Sequence, residues 1–524
     1  MNRARPLRRR LVAPPGRLGS LPDRLAPLFP PAAKCPWPRP AAALGYLAAF
    51  AAASALALLR QPGLAPTSTL WAEDGRIFYA QALRMPFFAT LVHLHDGYAQ
   101  LFPRLAGQLA RLAPPGDAAL VLALAGAAST GALACLVFHM AKGHVPSPLL
   151  RAVLAGSMVL LPVANVELLD NVVNVPWWLF FATFWALLWR PRSAGGRAGA
   201  GTVCALAAAS QPLAAVLLPL GAARLIALGG AGARRAGPGA GGGWRRWLGE
   251  HSPTAGLVLG LAYQWAVISL SPHAGVLGRS QGSLAGIARS FAVRAGLGLV
   301  AGVKGTDWLL AHDAGLAVAL GAAAIGVLAL AGLLARSAGA RAFTVVATAC
   351  SFGAFAAAVW LRGLDQVTSP LRVQVGSRYE AVPLMLLLSG VVVVAGHWAS
   401  HWESRRESRR TLRRWPSAGR ASLAASSVAT GRAPRARPGA SAYPWLAGLA
   451  CTALLVPSWA ADFRDNNQRE LGPSWKAQVA RASSECKSGG AAPAVLSLAI
   501  DPPGWTASLP CRVLAPTVAA SGGG

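Results

Sequence analysis

Residues 118–140 read AALVLALAGAASTGALACLVFHM, a run with no Lys, Arg, Asp or Glu. As a helix it would rise about 35 Å, enough to cross bilayer hydrocarbon about 30 Å thick. Comparable runs lie on both sides of it, at 41–59, 254–270, 314–335, 342–360, 381–396 and 443–460. Shorter apolar runs lie at 149–164 and 176–189. The stretch 200–228 is interrupted by Ser210-Gln211-Pro212. Proline removes a backbone donor and turns the residue before it away from helix, so this stretch reads as two short helices meeting near the outer face. Together these make eleven crossings in an all-α polytopic membrane protein.

Composition agrees. The chain has 524 residues, of which 54% are hydrophobic and only 13% charged, with a mean hydropathy of +0.44. Soluble domains carry roughly 25% charged residues, so a soluble multidomain enzyme is excluded. The absence of a glycine period and a count of only 7 Cys exclude collagen-like and disulfide-scaffold classes.

The net charge is +30, and its distribution decides what it means. With the N-terminus in the cytoplasm, the loops on that side carry +27 and the loops on the other side +3. This is the positive-inside asymmetry of a multi-pass plasma-membrane protein. Topology and anionic lipid account for the basic excess, so no nucleic-acid partner is expected. Alanine and arginine usage fits a high-GC bacterial genome, and with it a place in the cell envelope. Residues 1–40 read as a disordered basic cytoplasmic segment and 41–396 as the transmembrane module. Residues 397–442 read as a basic disordered cytoplasmic loop, 443–460 as the last span and 461–524 as an extracytoplasmic tail. Cys486 and Cys511 share that tail, where an oxidising exterior permits a disulfide. The tail would then be a small folded cap, with Trp475 and Trp505 to supply its core.

Polar groups concentrate in the outer segments. The first outer loop contains Trp71-Ala72-Glu73-Asp74-Gly75-Arg76-Ile77-Phe78-Tyr79-Ala80. A helix over residues 72–83 would turn Ile77, Phe78 and Ala82 to lipid and hold Glu73 and Asp74 at headgroup depth. The same acids also suit a helix N-terminus, favoured by the dipole. A second interfacial helix is expected in the segment 98–112, with Arg104, Gln108 and Arg111 on one face. Arg104 there either pairs with a phosphate or snorkels to headgroups. The third segment, with Asn165, Glu167, Asp170, Asn171 and Asn174, puts five polar side chains between two apolar runs. It is either a sugar-binding site or an ordinary polar loop. The fourth, residues 362–380, includes Asp365 and Arg372 and brings Arg378 and Tyr379 to the mouth of a span, as an anion clamp or an interfacial anchor. An amphipathic stretch over 284–300 is expected to lie on the membrane. His93 and His95 alternate on a loop, a weak metal signal with no further ligand cluster to complete it. A Walker motif is lacking.

The acidic pair just beyond the first span, followed by a proline-bearing helix at 101–105, resembles the GT-C superfamily of integral-membrane glycosyltransferases. Protein mannosyltransferases and arabinosyltransferases belong to it. The similarity covers roughly residues 41–230. This chain departs from the family in having Glu-Asp followed by Gly, and Leu-Phe-Pro-Arg where many members have a Tyr-Pro-Pro type motif. The resemblance implies a polyprenyl-phosphate sugar donor and a glycan, lipid or protein acceptor outside the cytoplasm. It implies an inverting displacement with Asp74 or Glu73 as general base. Arg104 or Arg378 would steady the leaving phosphate, and Asn165, Asn171 and Asn174 would hold sugar hydroxyls. Some members bind a divalent cation; no cofactor is demanded by these residues. Two other classes stay open. A transporter or flippase of lipid-linked glycans would place ionisable groups near midplane, whereas these spans are nearly free of them. In a non-catalytic membrane assembly protein the outer acids would be incidental.

Overall fold

The computed structural model describes residues 20–31, 38–235, 243–271, 282–364, 376–414, 442–464, 469–488 and 494–515. The chain runs through α1 (Arg39–Arg60), α2 (Ala118–Met140), α3 (Pro148–Leu160), α4 (Val175–Leu188), α5 (Ala194–Ser210) and α6 (Leu218–Arg235). It continues through α7 (Gly243–Leu270), α8 (Leu284–His312), α9 (Ala314–Leu333), α10 (Ala338–Arg362), α11 (Arg378–Arg414) and α12 (Ala442–Ala461). Among the described residues, nine helices are long and apolar enough to cross a membrane, and α3 and α4 are shorter apolar helices. The molecule is a helical, multi-pass membrane protein.

The hub is α4. Its sequence, VPWWLFFATFWALL, is apolar on every face, and all of its residues are buried. A helix without a polar side belongs in a bundle interior or in lipid, and the burial of every residue places this one inside the bundle. It packs against α2, α5, α6, α7 and α11. Two buried arginines fasten the helix ends around it. Arg60, at the end of α1, donates to the carbonyls of Val159, Leu161 (3.1 Å), Asp462 (3.1 Å) and Phe463 (3.0 Å). Arg224 does the same at the opposite end, for Leu187, Trp189 (2.7 Å) and Glu250 (3.1 and 2.7 Å). Each arginine thereby satisfies carbonyls that helix ends leave without partners.

The break expected in 200–228 is present. α5 ends at Ser210, Gln211 is extended, and Pro212–Leu217 form a tight turn that leads into α6.

The stretch 284–300 is partly embedded in the bundle, and two expectations of disorder are corrected. In α8, all of Ala292–Leu297 form a wide, π-helical turn that is buried. Phe291 meets Phe352 and Phe355 of α10. The helix then kinks at Gly302 (φ 69°), and Asp462 accepts from Val303 N (2.9 Å) and Lys304 N (3.3 Å). Its start lies near Leu364 and its kink near Asp462, so both sit at the same end of the bundle. Residues 397–414 belong to α11 and are helical, not disordered; 415–441 lie outside the described residues. In the N-terminal segment, 1–19 and 32–37 are outside the described residues. Leu21–Leu25 is helical, however, and Leu28 and Phe29 are buried in the main core.

The tail adds what an all-α description omits. β1 (Val495–Ile500) and β2 (Trp505–Pro510) form an antiparallel hairpin beside the helix Trp475–Lys487. Cys486 and Cys511 are disulfide-bonded, with Cα atoms 5.6 Å apart. The tail and the first outer loop share one core. Trp475, Ile500 and Leu509 pack in a single cluster with Leu70, Tyr79 and Ala106. Trp475 is buried and donates to Pro115 O (2.8 Å); Trp505 is half-buried, with Arg76 over its ring.

The bridge closes a 25-residue separation. Cys486→Ser is expected to destabilise the tail by about 3 kcal/mol. Limited proteolysis of the full chain in detergent should then cut the tail first and leave the helical bundle intact; unchanged protease resistance would show that the hairpin needs no bridge.

Candidate functional site

The first outer loop is pinned at both ends. Ala72 N donates to Asp501 O (2.5 Å) and Asp501 N to Leu70 O (2.9 Å), which ties the loop to the tail. Ala72 holds a positive φ of 23° at this junction. The chain then coils into a π-helical turn, Asp74–Tyr79, and a short helix, Ala80–Arg84. The helix Leu101–Arg111 crosses it closely, because a Cβ on Gly107 would come within 2.6 Å of Phe78 O. That crossing corrects the lipid-facing assignment. Phe78 and Ala82 are buried against protein, and Ile77 is half-buried. Leu105, Leu109 and Leu112 form the exposed apolar face instead.

Asp74 and Glu73 take different roles. Asp74 is buried and accepts from the backbone N–H of Val172 (2.8 Å) and Val173 (2.9 Å). Burial pushes it up to about 7, against the pull of those two donors. Glu73 faces the other way and lines a cleft at the end of the bundle. The cleft holds about 680 Å³ of empty space, its open mouth included. Its polar wall is Glu73, Asp96, Tyr98, Asn174, Arg362 and Arg378. Its apolar wall is Pro176, Trp177, Pro212, Leu213, Ala358 and Leu361.

Two arginines make three ion pairs at the cleft. Arg378 lies 3.8 Å from Glu73 and 3.8 Å from Glu167. Arg362 lies 2.9 Å from Asp96. Each guanidinium also covers a tyrosine ring, Arg378 over Tyr379 (5.2 Å) and Arg362 over Tyr98 (5.8 Å). Trp177 stands edge-on to Tyr379 at 5.3 Å. Burial alone would raise Asp96, but His95 and the hydrogen-bonded Arg362 hold it below the ordinary aspartate value. Burial pushes His95 down, so its imidazole is neutral at pH 7.

Of the residues singled out from the sequence, the cleft gathers Glu73, Asn174, Arg378 and Tyr379, with Glu167 behind Arg378. The others lie elsewhere. Asn171 donates to Glu167 O and to Leu169 O (3.0 Å), and Asn174 donates to Glu167 O (2.8 Å). These amides therefore fold their own loop rather than holding an outside molecule. Asn165 and Asp170 are buried away from the cleft; burial raises Asp170 to about 7. Arg104 is buried under Phe78 (5.6 Å) and donates to Gln81 (2.7 Å), so it is not an outward phosphate clamp. Asp365 and Arg372 lie outside the described residues.

Sequence reading passed over Asp96, Tyr98 and Arg362 as cleft groups. Asp96 and Gly97 both have positive φ (56° and 82°) in a two-residue turn bridged by His95 and Tyr98. The Asp-Gly pair is the signal for that turn. Gln264 of α7 fixes it by bonding both sides of Ala99 (3.0 and 2.7 Å). Among the described residues, no three His, Cys, Asp or Glu side chains stand together as a metal set.

No family model, curated protein or solved structure matches this chain. The functional reading therefore rests on its own residues.

Asp74 generates a pH prediction. Its pKa is about 7 when folded and 3.8 as a free side chain, so the folded state holds the extra proton between those values. Stability conferred by this group falls as pH rises through that window and levels off above about 7. Asp170 (about 7) and Asp501 (about 6) act in the same direction. Hydrogen exchange should give Val172 and Val173 larger opening free energies at the acid end of the window than above it. Asp74→Asn should flatten the slope. It should also lower protection by roughly 1–3 kcal/mol, since one N–H loses its acceptor.

Proposed function

We propose that the chain is a membrane glycosyltransferase of the GT-C kind, taking sugar from a polyprenyl phosphate. The observation that carries this reading is the meeting of Glu73 with Arg378 and Arg362 above an apolar floor at one end of a helical bundle. A lipid-linked phosphate sugar needs a cation for the phosphate, a carboxylate near the attacked carbon and an apolar bed for the first prenyl units. The cleft offers all three.

Orientation follows from charge and connectivity. Because α8 begins and kinks at the same end, we take it to add no crossing, in keeping with a reading of eleven passes and a cytoplasmic N-terminus that the loop charges favour. The cleft then opens on the extracytoplasmic side, where nucleotide sugars are absent and lipid-linked donors are the available class.

The acceptor hydroxyl attacks the anomeric carbon, the bond to the phosphate oxygen breaks, and the configuration inverts. Glu73 takes the hydroxyl proton as general base. Arg378 and Arg362 hold the departing phosphate, whose charge grows as the bond breaks. In the empty cleft each arginine is engaged by a carboxylate. An entering phosphate draws the guanidinium away and frees Glu73 for proton transfer. Gln100 and Gln211 face the cleft and suit sugar hydroxyls, and Trp177 and Tyr379 offer ring faces. Asp74 is a positioning residue. The donor set does not fit a divalent cation, since each cleft carboxylate faces a guanidinium, and no step is routed through one.

The test is transfer from polyprenyl-phosphate sugars to glycan, lipid and protein acceptors by the full chain in nanodiscs. Glu73→Gln is expected to lose about 100-fold or more in rate. Arg378→Lys should lose roughly tenfold, because lysine cannot present a planar fork. Full activity in Glu73→Gln would reject the base, and donor translocation without transfer would favour a transporter. For orientation, Lys476→Cys should react with a membrane-impermeant thiol reagent on intact cells, while Arg192→Cys should react only after permeabilisation.

A further inference from the structure

A second cavity lies at the end of the bundle opposite the cleft. It encloses about 700 Å³ of empty space, its open mouth included, and is lined by Arg190, Arg192, Arg197, Arg224 and Glu250 with two prolines. Four guanidinium groups thus face one carboxylate. Among the described residues, no ion pair joins Glu250 to any of the four, and Arg190 and Arg192 have no acceptor for their guanidinium groups. Clustered like charges repel, so such a pocket is complete only with an anion in it.

The cavity is built, not a loose surface patch. Arg224 is fully buried, and four hydrogen bonds to the carbonyls of Leu187, Trp189 and Glu250 hold its guanidinium in place. It supplies a fixed positive charge at the back. Arg197 lies across Gly249 of α7, where a Cβ would come within 2.7 Å of its Cδ and Nε. The missing side chain is what lets that guanidinium reach the pocket. Arg190 and Arg192 follow directly on α4, with the half-buried Trp189 beside them, at the depth where aromatic and basic residues meet lipid headgroups. Arginine forks match phosphate oxygens in pairs.

We propose that this pocket binds a phosphate group. Two sources share that chemistry, an anionic phospholipid headgroup and a soluble phosphate, and the experiment separates them. The full chain is placed in phosphatidylcholine nanodiscs doped with phosphatidylglycerol, and retained lipid is read by native mass spectrometry. In parallel, the chain in pure phosphatidylcholine is titrated with inorganic pyrophosphate by calorimetry. Saturable binding of one probe per chain is expected in one arm or both. Phosphatidylglycerol retention identifies the headgroup, and pyrophosphate binding identifies the soluble source.

Arg190→Gln/Arg192→Gln should weaken that binding by roughly tenfold or more. Gly249→Ala should weaken it too while leaving the fold intact, because it displaces only the flexible end of Arg197. Arg336→Gln/Arg405→Gln removes equal charge from exposed arginines at the same end and should leave binding unchanged. Failure of both probes to bind would overturn the proposal. So would unchanged affinity in both pocket variants, or an equal loss in the control pair.

Discussion

Asp74 joins two loops that lie far apart in the chain. Its carboxylate receives the N–H groups of Val172 and Val173, just before α4 begins. Since α4 is apolar on every face and sits at the centre of the bundle, this bond sets the first outer loop directly upon the hub. The neighbouring Glu73 is turned by about 100° around the helical coil, so one acid serves the join and the other is left for the cleft. Two adjacent carboxylates thereby face different surroundings, one the backbone of the next loop and the other the cleft.

The same economy governs the ends of the bundle. Near lipid, a backbone carbonyl without a partner is costly. Arg60 and Arg224 each collect several such carbonyls, and each joins helices distant in sequence. Both are buried, and both sit where a hydropathy profile sees only the end of an apolar run. The tail completes the opposite arrangement. It shares a core with the first outer loop, so that loop is held in place by a segment from the other end of the chain.

Much of this was legible from residues alone. Charge-free runs mark the long helices, and the Gln211-Pro212 break marks a turn that reaches the cleft wall. The disulfide partners were the two cysteines of the tail. Other features were hidden for physical reasons. Phe78 and Ala82 are apolar whether they face lipid or protein, so periodicity could not choose between the two. The arginine-rich start of 397–414 continues α11 without any hydropathic mark. Asp96 and Arg362 are 266 residues apart, and no local pattern announces their pair. The polar segment 165–174 was conspicuous, yet most of its amides are consumed by its own turns.

The shortness of α4 has a consequence for depth. Its 14 residues rise only about 21 Å, some 9 Å less than a typical hydrocarbon slab. With its far end at one lipid boundary, its near end stops well beneath the other. Trp177 and Pro176 begin that near end and form the floor under Glu73 and Arg378. The floor of the cleft therefore lies deeper in the bundle than a helix of full spanning length would set it.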